Sequence, residues 1–163
     1  IYYEIITDLN HLCPDMIRLI FRIQPYSKFC LISDSNYISG LPAGTYLRYG
    51  RENYADEKGL ILNSDGRICG SGSWVLRNIC QLVQVVGIPV EQAFYMASLY
   101  PARYLGIDQE TGSLRNGKRA DMIFVDEDFI CQRTFVGGKQ VFDRKEDMTE
   151  KILNAEAMKL KVK

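Results

Sequence analysis

Three side chains stand where chemistry could be done: His11, the sole histidine among 163 residues, Asp8 three positions before it, and Asp34. His11 and Asp8 lie in the stretch EIITDLNHLCP, just after the apolar pair Ile5 and Ile6, and Asp34 follows the apolar run 29–32 in SKFCLISDS. A carboxylate in a dry pocket can serve as a general base, and an imidazole beside it can hydrogen-bond to a polarised carbonyl. Each residue also has a plainer use. Asp34 ahead of SNYISG suits the capping of a turn through its side-chain oxygens. A lone buried histidine commonly satisfies its ring on a backbone carbonyl. The glycine-rich ICGSGS, residues 68–73, could cradle an anion with backbone N–H groups at a helix start, or simply cap that helix; it lacks the lysine of a phosphate loop.

The elements that would have to position these groups alternate strand and helix. A short strand over 2–7 leads into CPDMIRLIFRI, where Pro14 suits a first helical position and Met16, Leu19, Ile20 and Ile23 recur at helical spacing. The continuous apolar run 29–32 then reads as a strand covered on both faces. Two successive strand-to-helix units of this kind put His11 and Asp34 beyond the C-terminal ends of neighbouring parallel strands, where α/β sheets and barrels gather their polar groups.

Downstream the character changes. Residues 40–70 carry Gly, Pro, Tyr and charge around two weak strand candidates, TYLRYG and GLILNSDG, and read as a surface excursion of short strands. From Ser71 a helix is expected, capped by a serine and closed by Gly87, apolar on most sides and so largely buried. A second helix starts near Pro89, is broken at Pro101 and ends at Gly106. DMIFVD reads as a buried strand, and TFVGGKQVF as a hairpin whose Gly137 and Gly138 supply the positive φ angles of a two-residue turn. The charged tail 143–163 is expected to be a solvated helix or disordered.

Composition excludes several classes. Twenty basic residues balance twenty acidic ones without a long block of either sign before the tail, which argues against nucleic acid and for a small neutral or singly anionic ligand. Five scattered cysteines without a CxxC pair read as reduced thiols of a cytoplasmic protein. No apolar run approaches the roughly 18 to 20 residues of a membrane helix. The chain opens at Ile1, inside a strand, as expected of a sequence cut from a longer one.

Five separated motifs then carry a resemblance: EIITDLNHLCPDMIRLIFR; LISDS followed by GLPAGTY; DGRICGSGSWVLRNICQLV; QAFYMASLYPARYLGI; and GSLRNGKRADMIFVD. In this order, over about residues 3–142, they resemble the last third of the N-acetylglucosamine-6-phosphate deacetylase family of the amidohydrolase superfamily. The resemblance implies an α/β fold: the last two β/α units of a metal-dependent-hydrolase TIM barrel over 1–106, strands of a small β-sandwich over 107–142, and the tail. It implies that Asp34 is the catalytic general base. It also places Asp8, Leu9, Asn10 and His11 at the substrate, with His11 near the acetamide, and Ile68, Cys69 and Gly70 in a turn that contacts the sugar phosphate. Ser71 closes that turn.

The family's pattern has glycine where this chain has Leu9, which adds a side chain where backbone lies close to substrate. A divalent metal ion, zinc or similar, is implied for the full-length protein, with its Glu and two His ligands upstream and none within this segment. A barrel needs about 250 residues, so the segment alone is expected to be inactive and to leave a parallel strand edge unpaired. Full length, a homodimer is implied. The function so implied is metal-dependent deacetylation of N-acetylglucosamine 6-phosphate to glucosamine 6-phosphate and acetate. The alternatives are another acylated amino-sugar phosphate, such as N-acetylgalactosamine 6-phosphate, or a binding module that keeps the fold without catalysis.

Overall fold

The computed structural model describes residues 1–145. Three separate sheets order it. Strand β1 (Tyr3–Ile6) leads through helix α1 (Pro14–Ile23) and a 3-10 turn (Tyr26–Lys28) to β2 (Phe29–Ile32), and the two strands pair in parallel with Ile6 opposite Ile32. This is a β/α unit as the pattern predicted. Pro14 opens α1 directly after the cap residue Cys13, where its missing N–H costs nothing. Of the helix's apolar residues, Ile17 is the one fully buried, while Met16, Leu19 and Ile23 remain exposed. Among the described residues β1 pairs with β2 alone, so its other edge is open, as expected. Beside that edge lies an apolar cavity of about 640 Å³ lined by Ile6, Leu12, Ile20 and Ile23, with His11 at its wall.

The excursion is more regular than the sequence suggested. It forms a four-stranded antiparallel meander of β3 (Gly44–Arg48), β4 (Arg51–Ala55), β5 (Leu60–Asn63) and β6 (Ile68–Ser71). The β3–β4 hairpin closes on Tyr49 and Gly50, both at positive φ (51° and 72°), the backbone that a two-residue turn between twisted strands requires. ICGS, read above as a turn or a helix start, is therefore a strand. Its far end meets β2's extension through an isolated parallel bridge between Ser71 and Ser35.

Helix α2 (Val75–Gln81) begins four residues later than Ser71, and Trp74, not a serine, holds the cap position without a side-chain cap bond. The expected serine cap fails because Ser71 and Ser73 spend their hydroxyls elsewhere. The helix widens into a π turn (Leu82–Val86) and ends, as expected, at Gly87 in the left-handed region (φ 87°). Helix α3 (Val90–Ala97) follows its cap Pro89, and α4 (Leu99–Leu105) ends at Gly106. The break between them falls at Ser98 (φ −139°, ψ −70°), not at Pro101. Breaking there puts Pro101 in the first turn of α4, among positions whose N–H groups have no intrahelical acceptor.

The core joins Ile5 and Leu31 of the parallel pair to Ile17 of α1, Leu82 after α2, and Ala93 and Met96 of α3. The third sheet is antiparallel: β7 (Met122–Val125), β8 (Cys131–Val136) and β9 (Lys139–Asp143). Gly137 and Gly138 turn the β8–β9 hairpin at φ 58° and 82°, as predicted. Strand β7 departs from expectation, since Ile123 and Phe124 are about half exposed. A continuous apolar run shows that a strand can be covered; the covering layer has to come from elsewhere. The charged tail expected over 143–163 lies, beyond Lys145, outside the described residues.

Candidate active site

The tips of β1 and β2 hold the predicted pair, and Ser71 at the end of β6 lies between them. Asp8 follows β1 by two residues and is buried, with no exposed side-chain surface. Its Oδ1 accepts the N–H groups of Asn10 and His11, both at 3.0 Å. Its Oδ2 accepts the Ser71 hydroxyl at 2.7 Å and lies 3.0 Å from His11 Nδ1. Burial pushes this carboxyl up. The bonds from the His11 N–H, the Ser71 hydroxyl, the Asn10 N–H and the His11 ring outweigh it and hold Asp8 below the usual carboxylate range. Asp8 is therefore ionised at neutral pH.

This turn has a backbone cost. Leu9 sits at φ 61°, the left-handed region where a glycine would be unstrained, and this backbone is held by the bonds that the Asn10 and His11 N–H groups make back across it to Asp8. The Leu9 side chain packs partly buried against the core. His11 is not the carbonyl-satisfied core histidine that its spacing allowed. Its ring pairs with a carboxylate and keeps 18% of its side-chain accessibility.

At its side chain, Asp34 is held differently. It too has left-handed backbone (φ 53°), but its side chain is exposed and makes no hydrogen bond or ion pair among the described residues. What fixes it is its main chain: the Asp34 carbonyl accepts the Ser71 N–H at 2.9 Å. Gly70 suits this crossing, because a Cβ there would come within 3.1 Å of both the Asp34 carbonyl oxygen and the Asn36 amide, at a φ of 145° that side chains rarely adopt. Asp34 does not cap the following turn. Asn36 does, accepting the Ile38 N–H at 3.0 Å.

Ile68 and Cys69 are exposed, and partial desolvation of the sulfur together with the nearby Asp34 charge pushes the Cys69 thiol up. Gly70 and Ser71 are buried, and the Ser71 N–H is spent on Asp34, not offered to a ligand.

A polar layer that sequence reasoning missed underlies the site. The Ser71 hydroxyl accepts the Ser73 N–H (3.0 Å), the Ser73 hydroxyl donates to Asn78 Oδ1 (2.5 Å), and Asn78 Nδ2 donates to the Ile32 carbonyl (3.3 Å). The Ser39 hydroxyl donates to the Ser71 carbonyl at 2.6 Å. A signal existed for Asn78, one of three amides within the apolar stretch WVLRNICQLVQVV, since a polar side chain on a buried helix face must find partners. Among the described residues no three His, Cys, Asp or Glu side chains stand together, so a metal ion finds no ligand set in them. No helix of the described residues is long and apolar enough to cross a membrane.

An exposed carboxylate whose backbone Ser71 holds, and an imidazole oriented by Asp8, which the same serine holds, are equipped for proton transfer at a carbonyl. Over 142 residues the chain is 36% identical to N-acetylglucosamine-6-phosphate deacetylase of Vibrio furnissii, covering 87% of this chain and 35% of that protein. It is 31% identical to N-acetylgalactosamine-6-phosphate deacetylase of Escherichia coli O157:H7 over 85% of this chain and 36% of the other. The crystal structure of N-acetylglucosamine-6-phosphate deacetylase from Pasteurella multocida superposes with a TM-score of 0.80 at 29% identity, covering 86% of this chain and 36% of that one. The chain thus spans about a third of the length of these relatives. The Amidohydrolase family pattern matches residues 33–141, from the residue before Asp34 to the middle of β9. The chain belongs to the amidohydrolase family.

Proposed function

We propose that this chain is the part of an amino-sugar-phosphate deacetylase that carries its general base and its carbonyl-binding histidine, and that the full-length protein hydrolyses N-acetylglucosamine 6-phosphate to glucosamine 6-phosphate and acetate. The observation that carries the reading is Ser71's double attachment. Its N–H holds the Asp34 backbone and its hydroxyl holds Asp8, which holds His11, so one residue anchors both the imidazole and a carboxylate that has no partner among the described residues.

In this reading Asp34 takes a proton from the water that attacks the acetamide carbon and returns it to the amine as the C–N bond breaks. His11, with its ring doubly protonated, donates from Nε2 to the carbonyl oxygen as negative charge collects there. Leu9, Asn10 and the exposed face of Ile68 and Cys69 would border the sugar phosphate, with Gly70 keeping that strand close to Asp34. The divalent ion that family resemblance implies would take its ligands from side chains other than these, and the segment alone is not expected to turn over substrate.

The relative acting on N-acetylgalactosamine 6-phosphate, at 31% identity, supports the epimeric substrate as the second reading. Acetate release by the full-length protein from the two epimers separates them. Faster turnover of the gluco epimer is expected. Faster turnover of the galacto epimer would move the assignment to the second reading, and turnover of neither would leave a binding module.

A further inference from the structure

We propose that Ser71 and Asp8 form a buried relay that locks His11 into one tautomer, with the ring proton on Nδ1 and Nε2 the nitrogen turned to the substrate. Every hydrogen in the relay can be assigned from donors and acceptors alone. The Ser71 oxygen already accepts the Ser73 N–H, so its own hydrogen is free for Asp8 Oδ2 at 2.7 Å. Asn78 donates its amide to the Ile32 carbonyl and so presents oxygen to Ser73, which fixes the Ser73 hydroxyl as a donor. Asp8 then receives two backbone N–H groups on one oxygen and the Ser71 hydroxyl on the other. An ionised carboxylate only accepts, so the remaining contact, His11 Nδ1 at 3.0 Å, must be a donor.

The arrangement decides what His11 can do. A neutral ring held this way presents a lone pair at Nε2, and only the doubly protonated ring donates from it, with the Asp8 carboxylate opposite the added charge. Asp8 and Ser71 are thus positioning residues: they act through His11 and do not meet the substrate. Asp8 has no side-chain surface left for a ligand. Ser71 also carries the Asp34 backbone, so one residue sets both working groups.

His11 is the only histidine in the sequence, so its ring nitrogens give the only imidazole signals in a spectrum of the intact 163-residue chain. The experiment is long-range proton–nitrogen NMR at a pH where the ring is neutral. The expected result is a protonated Nδ1 and an unprotonated Nε2. A ring protonated on Nε2, or the mixed tautomers of a free histidine, would overturn the proposal. Ser71→Ala leaves the Asp8 carboxylate facing Nδ1 and should keep the Nδ1–H tautomer, but without the anchor on Oδ2 the Nδ1 proton should exchange with water several-fold faster, while Ser71→Thr, which restores the hydroxyl, should keep the wild-type rate; an unchanged rate in the alanine variant would remove Ser71 from the relay. Asp8→Asn reports independently of any folding defect in Ser71→Ala: an amide N–H facing Nδ1 should switch the ring to the Nε2–H form, and retention of the wild-type tautomer would count against the relay.

The proposal rests on the deacetylase reading only for its consequence in turnover. There, Ser71→Ala in the full-length protein should lower kcat about a hundredfold, as misplacement of a working group does, with KM little changed, and Ser71→Thr should restore it. An Nδ1–H ring in a protein without deacetylase activity would sink the functional reading and leave the relay standing. An active enzyme with an Nε2–H ring would do the reverse.

Discussion

The tips of the two parallel strands carry the same side-chain type and treat it in opposite ways. Beyond β1, Asp8 is buried, its two oxygens taken up by four contacts from the chain itself. Beyond β2, Asp34 is exposed, and only its backbone is held. A carboxylate whose acceptor sites are all occupied cannot take a further proton without breaking the structure around it. One whose backbone is clamped and whose oxygens have no partner among the described residues can. The difference teaches that position at a strand tip does not assign a role; the partners do, much as two carboxylates in one enzyme site are driven apart by their surroundings.

Several perturbations should sharpen or break this contrast. Among the perturbations around Asp8, the largest effect is expected at the histidine it orients. His11→Ala in the full-length protein should lower kcat by about 10²–10³, the usual cost of removing a donor to a developing oxyanion, and retained kcat would detach His11 from the chemistry. Next comes the cost of breaking the buried cluster. Asp8→Ala leaves the Ser71 hydroxyl and two N–H groups without their acceptor and should destabilise the fold by about 1–3 kcal/mol, read by denaturant unfolding; a loss no greater than that of an exposed-site substitution would mean that the cluster holds little.

A smaller effect follows from pH. Because Asp8 is held below its unfolded value of about 3.9, its contribution is fully present above that value and is lost as pH falls through the lower, folded value. The stability gap between wild type and Asp8→Asn should therefore close as unfolding is measured from about pH 6 down to about pH 2, and a gap that stays constant would show that Asp8 does not titrate as described. The smallest effect is on Cys69, whose thiol burial and the Asp34 charge push up. Asp34→Asn should raise its alkylation rate about twofold at fixed pH through a larger thiolate fraction, read by peptide mapping; an unchanged rate would separate the two side chains in space.

How much of this was legible in the sequence depended on whether a signal was local. Apolar runs followed by helical spacing marked β1, α1 and β2, and hence the tips where His11 and Asp34 stand. Gly137-Gly138 and Gly87 announced backbone that only their residue type adopts readily. Strand β4, RENYA, carries almost no apolar pattern and exists because the Tyr49-Gly50 turn folds it onto β3. Ser71 looked like a helix cap because serine is what caps are made of. Its actual partners, Asp8 and Ser39, are 63 and 32 residues away, and no local rule could have named them. Exposure of Ile123 and Phe124 was likewise invisible, since an apolar run says nothing about which layer covers it.

The division of labour between the two carboxylates is tested most directly by Asp34→Asn in the full-length protein, with acetate release and thermal unfolding followed side by side. The account predicts that deacetylation of N-acetylglucosamine 6-phosphate falls by about 10²–10⁴ while the unfolding temperature stays where it was, because no described group relies on that side chain. Undiminished turnover, or a fall in unfolding temperature as large as that of Asp8→Ala, would contradict it.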